Sequence, residues 1–145
     1  MAVNVGERHV PDTAANRQLD ACFKAMDLAI HTIKVTANEK IFKPEFQAAL
    51  TSDIIRCAKD VYICTWNANN VYVSKENRKR WPERERLQYS AILKCNELLA
   101  LINLARRLFH LRSNKVEYWS ALVIEARKLI RAWHEADAAR YGDAG

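Results

Sequence analysis

The stretch Leu87–Leu111, LQYSAILKCNELLALINLARRLFHL, places apolar residues at Leu87, Ala91, Cys95, Leu98, Ile102, Ala105 and Phe109, in steps of four and three throughout. Such steps return to one face of an α-helix. A second apolar set, Ile92, Leu99, Leu101, Leu104 and Leu108, widens the stripe beyond what one partner helix covers. A helix apolar around most of its circumference is buried on more than one side. The spacing therefore predicts the central helix of a bundle, or a helix shared between a core and a subunit interface. Close behind come Val116, Trp119, Val123, Ala126, Ile130 and Trp133, a seven-residue repeat suited to a bundle seam.

The rest of the chain reads in the same period. Residues 1–15 contain Gly6 and Pro11 and no sustained pattern, which predicts a flexible N-terminal arm, with Asp12 or Thr13 able to cap the first helix. That helix is expected from Ala14 to Ala37, with Leu19, Cys22, Phe23, Met26, Ile30 and Ile33 on its inner face. Asn38-Glu39-Lys40 makes the turn, and Pro44 opens a second helix. Its face is Phe46, Leu50, Ile54, Ala58, Val61, Thr65 and Ala68. Ser74–Trp81, SKENRKRW, is a polar and basic connection that need not join the bundle. Pro82 then starts the third helix near Glu83, and Ser113-Asn114 separates it from the fourth, which ends near Tyr141 before Gly142. The expected fold class is all-α: an antiparallel four-helix bundle over residues 16–141, with a tail at 142–145.

Composition removes several kinds of function. The only glycines are Gly6, Gly142 and Gly145, so no glycine-rich loop exists to bring backbone against a phosphate or dinucleotide. The histidines, His9, His31, His110 and His134, form no HExxH motif and no matched Glu-x-x-His pairs. A metal site assembled from single Cys and His residues on different helices stays open, but no ligand spacing supports one. The expectation is a metal-free protein without cofactor. Cys22, Cys57, Cys64 and Cys95 lie singly in helical patterns, where free cysteine behaves as a small hydrophobe. That suits a reduced, cytoplasmic protein. No secretory h-region opens the chain and no apolar run is long enough to cross a membrane. Catalytic residues are not expected.

Charge carries more. The formal net charge is +6, which favours a polyanionic partner. Lys75, Arg78, Lys79, Arg80, Arg84 and Arg86 cluster around the connection before helix three. Arg84 and Arg86 fall in its first turn, where the helix dipole disfavours cations. Arg106, Arg107, Arg112 and Lys115 surround the turn between helices three and four, in a stretch from Leu98 to Val116 without an acidic side chain. The dipole accounts for Arg106 and Arg107 but less well for Arg112 and Lys115. Arg127, Lys128 and Arg131 are expected to approach the first cluster if helix four returns antiparallel. These thirteen cations are the nominated nucleic-acid contacts, and a solvated surface is the plainer alternative. Trp119 and Trp133 read as core, whereas Trp66 and Trp81 flank the basic connection and are candidates to face a partner.

The segment ERLQYSAILKCNELLALINLARRLFHLRSNKVEYWSALVIEARKLIRAWHEADAARY resembles the four-helix-bundle proteins grouped with the 23S ribosomal-RNA intervening-sequence proteins. More narrowly, it is similar to the accessory variability determinant (Avd) proteins of diversity-generating retroelements. CNELLALI, LFHL, KVEYW and LIRAW match best, and the likeness runs from about Phe46 to Tyr141. The resemblance implies a basic, non-catalytic protomer of a homo-oligomeric, pentameric barrel. It also implies binding to a reverse transcriptase and its template RNA, with DNA as a second nucleic-acid partner, in support of mutagenic cDNA synthesis. Two alternatives stay open: an interaction bundle encoded within a ribosomal-RNA insertion, an adaptor without a retroelement, and an enzyme whose site is assembled from scattered Cys, His and Glu residues.

Overall fold

The computed structural model describes residues 14–142, and every regular element among them is helical. The fold is all-α, with four long helices: α1 (Ala14–Thr36), α2 (Ser52–Asn69), α3 (Trp81–Phe109) and α4 (Ser113–Tyr141). The arrangement is compatible with a four-helix bundle. Helix α1 packs on α2 and α4, and α3 packs on the same two. Most of the arm expected over 1–15, the caps at Asp12 or Thr13, and the tail at 143–145 lie outside the described residues. Ala14 and Ala15 already belong to α1.

Three helices bury the faces their period predicts. On α4, Val116, Trp119, Val123, Ala126, Ile130 and Trp133 are all buried, and the stripe continues to a buried Asp137. On α2, Ile54, Ala58, Val61, Thr65 and Ala68 are buried; in the turns before it, Leu50 is buried and Phe46 partly so. On α3 the seam is Trp81, Arg84, Gln88, Ala91, Cys95, Leu98, Ile102 and Ala105, with Leu87 and Phe109 at its margins. The second apolar set on α3 divides. Ile92 is buried and Leu99 and Leu101 are half-buried, but Leu104 and Leu108 are exposed.

Of the face expected on helix α1, Cys22 is buried and Met26 half-buried, but the other four residues face outward. Its buried residues are Ala21, Cys22, Ala25, Leu28, Ala29, Thr32 and Thr36, whereas Leu19, Phe23, Ile30 and Ile33 are 44–57% exposed. The helix carries two apolar stripes about two residues apart, roughly 200° around its axis. The core takes the small-residue stripe, because alanines let the α1 backbone approach α2 and α4 closely. Thr32 and Thr36 are tolerated inside because their hydroxyls are bonded. Thr36 donates to the Thr32 carbonyl at 2.8 Å, and the Thr32 hydroxyl accepts the Trp119 indole N–H at 3.0 Å.

The connections are built from local bonds. Asn38 accepts the N–H groups of Ile41 and Phe42, and buried Phe42 then packs on Phe109 with ring centroids 4.9 Å apart. Pro44 opens a short 3₁₀ turn, and a π-turn over Gln47–Thr51 precedes α2. Helix α3 starts at Trp81, two residues earlier than expected, with proline in its first turn. It stops at His110, which takes a left-handed conformation (φ 56°, ψ 48°) while the Leu111 N–H returns to the Arg106 carbonyl. Arg112, not Ser113 or Asn114, occupies the position before α4, and both expected caps fall inside the helix.

Cross-helix bonds fix the pairing. Arg84 meets Asp137, Glu85 meets His134, and Asn96 meets Arg127, so partner numbers on α4 fall as those on α3 rise. Gln18 meets Asn69 and Cys22 meets Thr65 between α1 and α2, again in falling order. The first turn of α3 therefore lies beside the last turns of α4, and the Trp119–Thr32 bond sets the turn between α3 and α4 beside the end of α1.

Candidate nucleic-acid interface

The basic connection between α2 and α3 rests on a small apolar base. Val71, Val73 and Trp81 are buried together, with Leu87, Ala138 and Tyr141 packed around them. This anchors both ends of the segment and leaves residues 75–80 between them exposed. Within it, Ser74 and Asn77 exchange backbone hydrogen bonds, and the Ser74 hydroxyl accepts the Asn77 N–H at 3.1 Å. Trp81, expected as a partner-facing residue, is instead part of the base at 7% exposure; Trp66 is 49% exposed.

The cations of this connection do not share one fate. Lys75, Arg78 and Lys79 are exposed, and Arg78 makes only a long contact to the Lys75 carbonyl at 3.4 Å. Arg80 is engaged by Glu83 through two bonds of 3.0 Å. Arg86 is exposed. Arg84 is not a surface cation at all. Its guanidinium donates to Asp137 at 3.1 Å and to the Val71 carbonyl at 2.6 Å, and lies 5.8 Å from the centre of the Trp133 ring. Gln88 donates to the same Asp137 oxygen at 3.0 Å. The side chain of Arg84 is 5% exposed and that of Asp137 1%. A buried charge needs a partner of opposite sign, and Asp137 is that partner. Arg84 therefore leaves the set of nominated contacts and becomes the residue that ties the connection to α4. The sequence does hold a signal for it. Extending the α3 pattern backward by fours and threes passes through Gln88, Arg84 and Trp81, and extending α4 forward reaches Asp137.

Beside this network His134 lies 3.0 Å from Glu85, stacked near Trp81 and 4.5 Å from the Tyr89 ring centre. This bracket joins the start of α3 to the end of α4 a second time.

The second cluster lies at the opposite end. Arg106, Arg107, Arg112 and Lys115 are all exposed, and Arg106 contacts the Ser113 hydroxyl at 3.4 Å. The fold brings them three further cations that carried no local signal, Lys34, Lys40 and Lys43. Lys34 lines a cavity together with Lys115, although some eighty residues separate them in the chain. Among the described residues none of Lys34, Lys40, Lys43, Arg107, Arg112 and Lys115 forms an ion pair. No acidic residue stands in the first turn of α4 to offset them.

Of the third group, Arg127 is placed by a bond to α3. Arg127 donates to Asn96 at 2.8 Å, halfway along α3, and Lys128 and Arg131 are exposed beside it. At 1.5 Å per residue, Asn96 is roughly 18 Å along the axis from Arg84. Arg127 thus lies between the two ends, and Arg131, one turn further along α4, stands about 6 Å closer to the first cluster.

The cysteine thiols are poor nucleophiles. Burial pushes Cys22 up to about 11, and Cys57 and Cys95 up to about 12; for Cys57, Glu97 adds to the effect. Burial also raises Cys64. All four are free. Among the described residues no group of three or more His, Cys, Asp or Glu side chains is placed to hold a metal ion, and no helix is long and apolar enough to cross a membrane. No known protein family, curated protein or solved structure matches the chain.

Proposed function

We propose that the chain is a non-catalytic, basic accessory protein that binds RNA as a homo-oligomer and acts beside a reverse transcriptase in the cytoplasm. One observation carries the nucleic-acid part of this reading: exposed cations gather at both ends of an elongated helical body. At the α3–α4 turn they stand without carboxylate partners. Lys75, Arg78 and Lys79 stand likewise at the other end. Cations left unpaired in the folded protein are free to neutralise phosphates, and the counterions released make such binding salt-dependent.

The falling partner numbers support an antiparallel bundle. The exposed stripe Leu19, Phe23, Ile30 and Ile33 supports self-association, since a contiguous apolar face on a folded surface marks an interaction site. Helix α1 thereby replaces α3 as the main candidate interface, with Leu93, Leu104 and Leu108 of α3 as a second apolar face. A closed ring, the pentamer that the Avd likeness implies, is one way to satisfy a heterologous interface. The reverse-transcriptase partner rests on that likeness alone.

The test is fluorescence anisotropy with a structured RNA at several salt concentrations. The expected slope of log K against log salt is about −0.7 to −0.9 per phosphate neutralised. Arg78→Glu/Lys79→Glu/Arg80→Glu and Arg112→Glu/Lys115→Glu should each weaken binding with helix content unchanged. Binding that ignores both changes and salt would leave a protein that contacts only other proteins. Co-purification with a reverse transcriptase encoded beside it decides the retroelement assignment.

A further inference from the structure

Four cavities adjoin one another across the end of the molecule at the α3–α4 turn. The first, about 400 Å³, is lined by His31, Lys34, Val35, Asn114, Lys115 and Tyr118. The second, about 210 Å³, shares Lys34, Val35 and Lys115 with it. The third, about 390 Å³, shares Ile41, Leu111 and Lys115 with the second, and the fourth, about 290 Å³, shares Ile41, Phe109 and His110 with the third. Residues shared from one to the next link them in a series, a trough partitioned by side chains, around this end. Lys34, Lys40, Lys43, Arg112 and Lys115 line it at intervals, Val35, Ile41, Phe42 and Phe109 provide apolar surface, and no Asp or Glu lines any of the four cavities.

We propose that this trough binds single-stranded nucleic acid, with phosphates on Lys34, Lys115 and Arg112 and a base against Tyr118. The proposal rests on the polyanion reading of the two basic ends and gives it a place. Cations distributed over a series of neighbouring cavities suit a linear anionic polymer better than a compact anion. Apolar floor between them suits flat, unpaired bases, whose faces a duplex keeps stacked inside. Tyr118 is 60% exposed, and His31 braces its ring from the side, with centroids 5.1 Å apart and planes at 66°. Burial lowers the His31 pKa, so the ring acts at neutral pH as an uncharged aromatic wall. An acidic peptide shares the charge, but its backbone N–H and C=O groups need partners that an apolar floor does not supply.

The test uses the full chain and a labelled single-stranded RNA of about eight nucleotides, within the usual site size, against the matching duplex and a polyglutamate competitor. Tyr118→Ala should lower single-strand affinity about tenfold, the loss of one stacked base. Duplex affinity and the salt slope should stay unchanged, and Tyr118→Trp should restore binding. Lys34→Gln/Lys115→Gln should reduce the salt slope by about 1.4, two single-strand phosphates. If wild type binds RNA and loses affinity with Lys79→Glu, yet Tyr118→Ala binds single strands normally, the trough is not the site while the RNA reading stands. If wild type prefers duplex, or polyglutamate outcompetes the single strand, the proposed occupant is wrong. If wild type binds no nucleic acid, both readings fall together.

Discussion

The guanidinium of Arg84, in the first turns of α3, lies 3.1 Å from the carboxylate of Asp137, near the end of α4, and both side chains are buried. Fifty-three residues apart in sequence, they occupy facing positions on the two seams and close the helical body at the end that carries the basic connection. The bond from Arg84 to the Val71 carbonyl extends the same network into the chain leaving α2.

Removing one member of a buried pair leaves the other charge uncompensated. Asp137→Ala should therefore destabilise the protein by about 3–5 kcal/mol in urea unfolding. Arg84→Met combined with Asp137→Leu should recover part of that loss, because neither charge then remains buried, although the Val71 carbonyl and the Gln88 amide lose their partners. A single-variant loss below about 1 kcal/mol, the range of exposed pairs, would show that the pair does not hold this end closed.

The outward stripe of α1 predicts self-association. Phe23→Glu and Ile30→Glu, both at exposed positions, should shift light scattering toward the 16.7 kDa protomer while circular dichroism keeps its helical signature. A wild-type protein that is already monomeric at micromolar concentration would remove the interface from α1 and the ring with it.

His110 ends α3 in the left-handed region at φ 56°, where a β-carbon costs roughly 1–2 kcal/mol and glycine costs least. His110→Gly should accordingly stabilise the protein, by about 1 kcal/mol after the entropy glycine gains when unfolded. An unchanged or lower urea midpoint would mean that the imidazole contributes packing that offsets the strain.

The buried thiols predict sensitivity to alkali. Cys22, Cys57 and Cys95 are raised from an ordinary 9.0 to about 11 or 12, so the folded state holds these protons longer than the unfolded chain does. Their contribution is complete below pH 9.0 and is lost as pH climbs to about 12. Each titrating thiol steepens the fall by up to about 1.4 kcal/mol per pH unit. Urea midpoints measured across this interval should drop, and Cys95→Ala should flatten the drop. A profile unaffected by that substitution would assign the alkaline loss to other groups.

The buried faces of α2 and α4 were legible because each carries one dominant apolar stripe, and on α3 the regular steps of four and three marked the seam although a second apolar set widened it. The period of a stripe is a local property of the chain. Gln88 and Asp137 extend those stripes, but a reading that tracks only apolar residues stops short of them. The thirteen nominated cations were legible only as a list. Arg84 lies inside, Arg80 is engaged by Glu83, and Arg127 is bonded to Asn96 halfway along α3. Lys34, Lys40 and Lys43 were missed because nothing near them in sequence points to the α3–α4 turn.

By itself, then, the sequence determined four helices, where most of them begin and end, and which side of three of them faces inward. The reason is that backbone hydrogen bonding and side-chain period are set within a few residues. Tertiary structure decided which of two stripes α1 buries, since close approach to α2 and α4 favours Ala21, Ala25 and Ala29 over Phe23 and Ile30. It also decided that Arg84 is a partner for Asp137 rather than for a phosphate, and that Lys34 and Lys115 share one trough. Those outcomes depend on which distant residues meet, and a burial energy that is non-directional and proportional to area leaves no mark of that choice in any single segment.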